Sequence, residues 1–222
     1  MKKKYFSVVV ILLTGILCSC EKDIISDSCI KGTKNIIYEY RILPDFHSID
    51  FDGSGNLFIT QGQNDTLIIE TDDNIAPLIQ TTVSNNKLYI NPTKSICPTS
   101  LNILATMKEI KYLNLAGSGN ITSSDTLKLE DVEIEIDGSG NINLYGAANK
   151  ITAGLDGSGN IELMDLLTDS AYVVINGSGN IRINASKYLK AIINGSGNIY
   201  YKGNPDIKET QINGSGNIIN IP

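Results

Sequence analysis

The sequence predicts an all-β protein, a single-stranded parallel β-helix with about 18–21 residues per coil, on three observations. The tetrapeptide Gly-Ser-Gly-Asn occurs seven times, starting at Gly53, Gly117, Gly138, Gly157, Gly177, Gly195 and Gly214. From Gly117 onward the copies stand 21, 19, 20, 18 and 19 residues apart, and a sustained period of that length marks a repeat architecture. On both sides of each copy apolar and polar residues alternate, as in "EIEIDGSGNINL" and "YVVINGSGNIRI". That alternation is the period of a strand with one buried face. Some twenty residues accommodate short strands but not a strand–helix–strand unit, which takes about thirty.

The chain opens with Lys2, Lys3 and Lys4 and an apolar run from Val8 to Leu17. This run is shorter than the ~20 residues needed to span a bilayer and reads as an export signal. The stretch that follows, "LCSC" (Leu17 to Cys20), resembles the lipobox of bacterial lipoproteins. The resemblance implies a signal peptide of residues 1–19, cleavage after Ser19 and lipidation of Cys20. The membrane is then a partner through the N-terminal lipid, and the place is the outer membrane, facing the cell surface or the periplasm. Residues 20–35, including the acidic "EKDIISDS", read as a tether, and residues 36–222 as one domain.

Loss of Lys2, Lys3 and Lys4 reduces 18 basic residues to 15 against 24 acidic ones, a formal charge of −9. With no basic stretch, nucleic acid is excluded as a partner class. Cys29 and Cys97 remain as the only free thiols, and an oxidising compartment permits a bond between them, which spacing alone does not establish.

Within the domain, "TLIIETDDNI" (Thr66 to Ile75) reads as a degenerate coil with Asp72-Asp73-Asn74 in place of the glycines. "KLYINPT" (Lys87 to Thr93) and "IKYLNLAGSGN" (Ile110 to Asn120) supply further alternating strands, with a longer excursion around Cys97 and Pro98. Stacking of coils ~4.8 Å apart predicts inward columns: Ile142, Ile161, Ile181 and Ile199 in one, Ile136, Leu155, Ile175 and Ile193 in another. The tetrapeptides become corners. Gly177, Gly179, Gly195 and Gly197 are read as residues that reach backbone angles closed to others, and Asn180 and Asn198 as tolerant of the left-handed region. Stacked Asn141, Asn160, Asn180 and Asn198 can form an amide ladder, since each amide both donates and accepts. The column before the glycines runs Asp137, Asp156, Asn176, Asn194, Asn213.

No catalytic residue is predicted. One histidine, His47, rules out HExxH and multi-histidine metal sites, and GxSxG, GxGxxG and GK[ST] are all absent. Asp137 and Asp156 could attract Ca²⁺, but their column turns to Asn and the GGxGxD calcium repeat is missing. No metal or other cofactor is expected. Asp165 with Asp169, or Glu133 with Glu135, would be the carboxylate pairs of a polysaccharide lyase or glycosidase on this scaffold, which is the alternative function. With no tryptophan and no tyrosine column to form a sugar platform, they read instead as solvated acids.

An ordered series of motifs carries a family resemblance: "RILPDFHSIDFDGSGNLFITQG" (Arg41 to Gly62), "LIIETDDNI", "VSNNKLYI" (Val83 to Ile90), the Gly-Ser-Gly-Asn array and "YYKGNP" (Tyr200 to Pro205). Over about residues 36–222 the chain resembles the bacterial family named "putative auto-transporter adhesin, head GIN domain". The resemblance implies a single-stranded β-helix on an exported, often lipid-anchored protein and transfers no catalytic residue. It implies an adhesin or structural surface-binding protein, with a glycan or a host or matrix protein as ligand. Family members vary the fourth residue of the tetrapeptide, whereas this chain uses Asn throughout.

Overall fold

The computed structural model describes residues 29–222. Apart from one 3-10 turn, Ala76–Leu78, every regular element in that span is a β-strand. Two long columns of parallel strands make the solenoid. The column before the tetrapeptides runs Lys87–Pro92, Ser48–Gly53, Tyr112–Gly117, then the later halves of Leu127–Gly138, Gly146–Gly157, Asn160–Ile175 and Asn180–Ile193, and last Ile207–Ile212. The column after them runs Leu101–Met107, Asn56–Gln61, Asn120–Ser123 and Asn141–Asn143. It continues with the first residues of Asn160–Ile175 and Asn180–Ile193, then Asn198–Lys202 and Ile218–Asn220.

Identical positions of successive coils stand in register, so one coil's apolar side chains are buried by the next. Ile103, Leu57, Ile121, Ile142, Ile161, Ile181 and Ile199 form one fully buried column, and Ile90, Phe51, Leu115, Ile136, Leu155, Ile175 and Ile193 another. Each side chain sealed this way contributes roughly 1.5–3 kcal/mol, and no coil can bury its own face alone. A third short run, Leu127 to Leu129 beside Gly146 to Ala148 beside Leu166 to Thr168, closes the coil between the two columns.

The N-terminal end departs from the predicted degenerate coil. Thr66–Asp72 lies antiparallel to both Ile36–Arg41 and Leu101–Met107, and Ile79–Ser84 lies antiparallel to Lys87–Pro92. The second pairing is a hairpin whose turn residues, Asn85 and Asn86, have φ of 50° and 58°. Two residues at positive φ match the right-handed twist of an antiparallel pair, and asparagine tolerates them. Asp72-Asp73-Asn74 is a clasp rather than a corner. The buried Asp72 carboxylate accepts the backbone N–H of Lys34 at 2.6 Å and of Thr99 at 2.7 Å. Only residues 87–107 behave as a degenerate coil, and they stack outside the first tetrapeptide coil. The chain then returns, and the Gly117 coil stacks on that first coil's other face.

Ordered structure also begins ahead of residue 36. Ile30–Lys31 pairs with Ile96–Cys97, and Asn35 Nδ2 donates to Asp73 at 2.8 Å, so residues 30–35 belong to the fold rather than to a tether. At the far end the last coil places Lys208 and Thr210 where the coil before it has Leu189 and Ala191. Lys208 Nζ donates to the Tyr201 hydroxyl at 3.1 Å. An inward-pointing charge of this kind discourages another strand from adding to the open edge.

Candidate surface-binding site

The corners form the most regular outward surface. In each, the second glycine is buried and the serine between the glycines is exposed. Backbone donors of one coil are satisfied by the coil below it: the N–H groups of Ser178 and Gly179 both donate to the Gly157 carbonyl, and Asn180 N–H donates to the Gly159 carbonyl. Such contact leaves no room for a side chain. A Cβ on Gly177 would sit 1.9 Å from the Gly157 carbonyl oxygen, and one on Gly195 1.9 Å from that of Gly177. This is a correction to the backbone-angle reading. Of the fourteen corner glycines only Gly117 and Gly157 have φ in the left-handed range, and no corner asparagine does. Gly177, Gly179, Gly195 and Gly197 are required by close approach between coils.

The corner asparagines make a continuous ladder. Asn56 Nδ2 donates to Asn102 Oδ1 at 3.1 Å, and Asn120 to Asn56, Asn141 to Asn120, Asn160 to Asn141 and Asn180 to Asn160 follow at 2.9–3.0 Å. Asn198 and Asn217 extend it at 3.3 and 3.2 Å. Every donor points toward the N-terminal end, where Asn102 Nδ2 meets Glu70 at 3.4 Å and Ser100 at 3.3 Å. Asn102 belongs to no tetrapeptide. Its strand "NILAT" repeats the pattern of "NLFIT" after the first copy, Asn for Asn, and that is the signal the sequence offers. A second ladder runs Asn213 to Asn194 to Asn176 to Asp156 at 2.8, 2.8 and 2.6 Å.

This second ladder stops at Asp156, and the next coil presents Asp137 beside it. Burial, then the carboxylates of Asp156, Glu135 and Asp50, push the Asp137 carboxyl above the usual range. Among the described residues no group of three or more His, Cys, Asp or Glu side chains is arranged to hold an ion, so Asp137 and Asp156 have no third ligand of these types beside them. The two acid pairs sit in different surroundings. Asp169 is held by Lys187 at 2.8 Å and by Ser186 at 3.2 Å, and these contacts keep its carboxyl low. Asp165 is exposed on its own. Glu135 accepts the Tyr112 hydroxyl at 2.5 Å while Glu133 stands free on the same face. His47 Nδ1 lies 2.9 Å from Ser48 Oγ, but Ser48 is buried, so the pair presents no accessible nucleophile.

Cys29 and Cys97 are joined in a disulfide with Cα atoms 5.5 Å apart. The bond pins the loop that replaces a tetrapeptide in the outermost coil. Beside that loop a cleft of about 250 Å³ is lined by Phe51, Ile79, Ile90, Leu101 and Ile103, with Lys94 at its wall. Cys20 and the signal segment lie outside the described residues.

The solenoid has solved counterparts. A "putative adhesin" from Bacteroides fragilis is 28% identical with a TM-score of 0.73, covering 86% of this chain and 100% of its own. A "putative lipid binding protein" from Parabacteroides distasonis is 27% identical with a TM-score of 0.59, covering 87% of this chain and 99% of its own. A "putative adhesin" from Parabacteroides merdae, 20% identical with a TM-score of 0.51 over 87% of this chain and 99% of its own, shares the fold. No curated protein matches the chain. The family model described as "putative auto-transporter adhesin, head GIN domain" matches residues 45–205, which hold six of the seven tetrapeptides and the antiparallel cap except its edge strand Ile36–Arg41, and the chain belongs to that family.

Proposed function

We propose that this protein is a lipid-anchored surface adhesin whose solenoid binds a glycan or a matrix protein without catalysing a reaction. The observation that carries the reading is where the chain enters the fold. Cys29 is bonded to Cys97 at the capped end, and from the first tetrapeptide coil onward the tetrapeptide coils stack away from that end, in order, to Ile218–Asn220. A tether from Cys20 would therefore attach at one end and leave the outward columns of the solenoid presented along its length. Those columns are chemically suited to contact: an exposed serine hydroxyl recurs at every tetrapeptide, and the amides beside them are locked by the ladders. Rigid, pre-ordered polar groups lose little conformational entropy on binding. Anchoring rests on the Leu17-Cys18-Ser19-Cys20 stretch, and family membership supports the adhesin-like role.

The test has three parts. Metabolic labelling with an alkyne fatty acid should tag the wild-type chain and leave Cys20→Ala untagged; equal labelling removes the anchor. Protease treatment of intact cells should release the domain, whereas full protection places it on the inner side. The purified protein should bind members of a glycan and matrix-protein array and release no reducing or unsaturated sugar from a polysaccharide panel. Sugar release would establish the enzyme reading instead.

A further inference from the structure

The two ends of the solenoid treat their sheet edges differently. The far edge is guarded by the inward Lys208. At the capped end the edge strand Ile36–Arg41 pairs with Thr66–Asp72 on one side and, among the described residues, with no strand on the other. Its outward positions are Tyr38, exposed by 63%, and Tyr40, exposed by 74%; Ile42 follows, fully exposed. Neither lysine nor proline interrupts the strand. Proteins guard open edges because unpaired N–H and C=O groups recruit other strands, and this one combines an open edge with aromatic side chains.

Tyr40 also continues an apolar row across the neighbouring strands. It stands opposite Ile68, which stands opposite Leu104, which stands opposite Phe58. The exposed edge is thus the rim of a wider outward patch.

We infer that this edge pairs with the same edge of a second copy, antiparallel and about a two-fold axis at Glu39. The sequence of the strand is what selects a second copy as occupant. With Glu39 on the axis, Tyr38 meets Tyr40 of the second copy and Ile36 meets its Ile42, all on the outward face. Arg41 and Ile37 meet on the other face. Aromatic pairs directly opposite one another stabilise a two-stranded contact. The one unfavourable pair is Glu39 with its own copy, and each of these carboxylates is already held by Arg41 of its own chain at 3.1 Å. A contact made from one patch on both copies closes on itself, so it yields a dimer and not a fibre. This inference is independent of anchoring, since it concerns only residues of the folded domain.

The experiment uses the full-length protein, in cells and purified in detergent. Mild oxidation of the double variant Tyr38→Cys/Tyr40→Cys should give a covalent dimer on a non-reducing gel, and Ile207→Cys, equally exposed at the guarded end, should not. Light scattering should report a concentration-dependent dimer for the wild type. Tyr40→Lys should weaken it at least tenfold without lowering the melting temperature, and Glu39→Gln should tighten it. A wild-type monomer at high concentration, a dimer that survives Tyr40→Lys, equal cross-linking through Ile207→Cys, or open-ended polymers would each overturn the assignment. So would loss of vesicle binding in Tyr40→Lys with no change in oligomeric state, which would make the patch a lipid contact.

Discussion

Gly179 lies so close over Gly159 that a Cβ added to it would stand 1.8 Å from the Gly159 carbonyl oxygen. The oxygen belongs to backbone that is itself hydrogen-bonded to Asn180 N–H, so it cannot move aside without breaking the corner. Gly179→Ala should therefore destabilise the fold by roughly 1–3 kcal/mol, the scale of overpacking in a closed interior. Gly154→Ala is the matched control, because its nearest heavy atom would be Glu135 Cγ at 3.9 Å. It should be neutral or stabilise by about 0.5 kcal/mol through the unfolded chain. Thermal and urea unfolding of both variants decides the point; equal stability would refute close approach as the reason for the glycines.

Asn180 both donates to Asn160 and accepts from Asn198. Asn180→Asp keeps the acceptor, removes the donor and sets a carboxylate against the Asn160 carbonyl oxygen. It should cost about 1–3 kcal/mol at neutral pH, the range for leaving a polar partner unmatched. The loss should shrink in acid, where the protonated carboxyl again donates. A denaturation series across pH reads this directly, and a pH-independent loss would show that the ladder bond is not the cause.

Asp137→Asn should raise the melting temperature at neutral pH. Burial and the neighbouring carboxylates hold the Asp137 carboxyl above its ordinary value. The folded state therefore keeps this proton more tightly than the unfolded chain does. Its contribution is present below the unfolded value and is lost as pH rises through the raised folded value. The substitution removes the repulsion and lets the new amide donate to Asp156, lengthening the second ladder by one rung. Melting curves from acid to neutral pH should show the variant's advantage growing with pH; a constant offset would count against the repulsion.

Reduction of Cys29–Cys97 should loosen the capped end. The bond closes a span of 68 residues, and in the chain-entropy model a loop of that size stabilises by about 4 kcal/mol. Cys29→Ser should lower the midpoint of unfolding, with hydrogen exchange rising first at Ile30–Lys31 and Ile96–Cys97. Unchanged exchange at those strands would show that Asp72 and its two amide donors hold the cap unaided.

The period, the alternation and the identical Ile positions are local properties, and they sufficed to determine a parallel solenoid, its inward columns and the stacking of Asn141, Asn160, Asn180 and Asn198. A repeated residue at a repeated spacing can only stack on itself, so those contacts are written in one dimension. The tertiary structure decided what depends on neighbours from other parts of the chain. Gly179 is needed for the coil beneath it rather than for its own φ. Asn102, outside every tetrapeptide, joins the ladder because its strand stacks beside Asn56. Asp72-Asp73-Asn74, which mimics a corner in sequence, instead clasps Lys34 and Thr99, because Thr66–Asp72 is sandwiched antiparallel between two strands 26 and more residues away. An alternating strand carries no mark of its direction or of which coil it will join. The partner strands settle both, through burial and hydrogen bonding that exist only once the chain has folded.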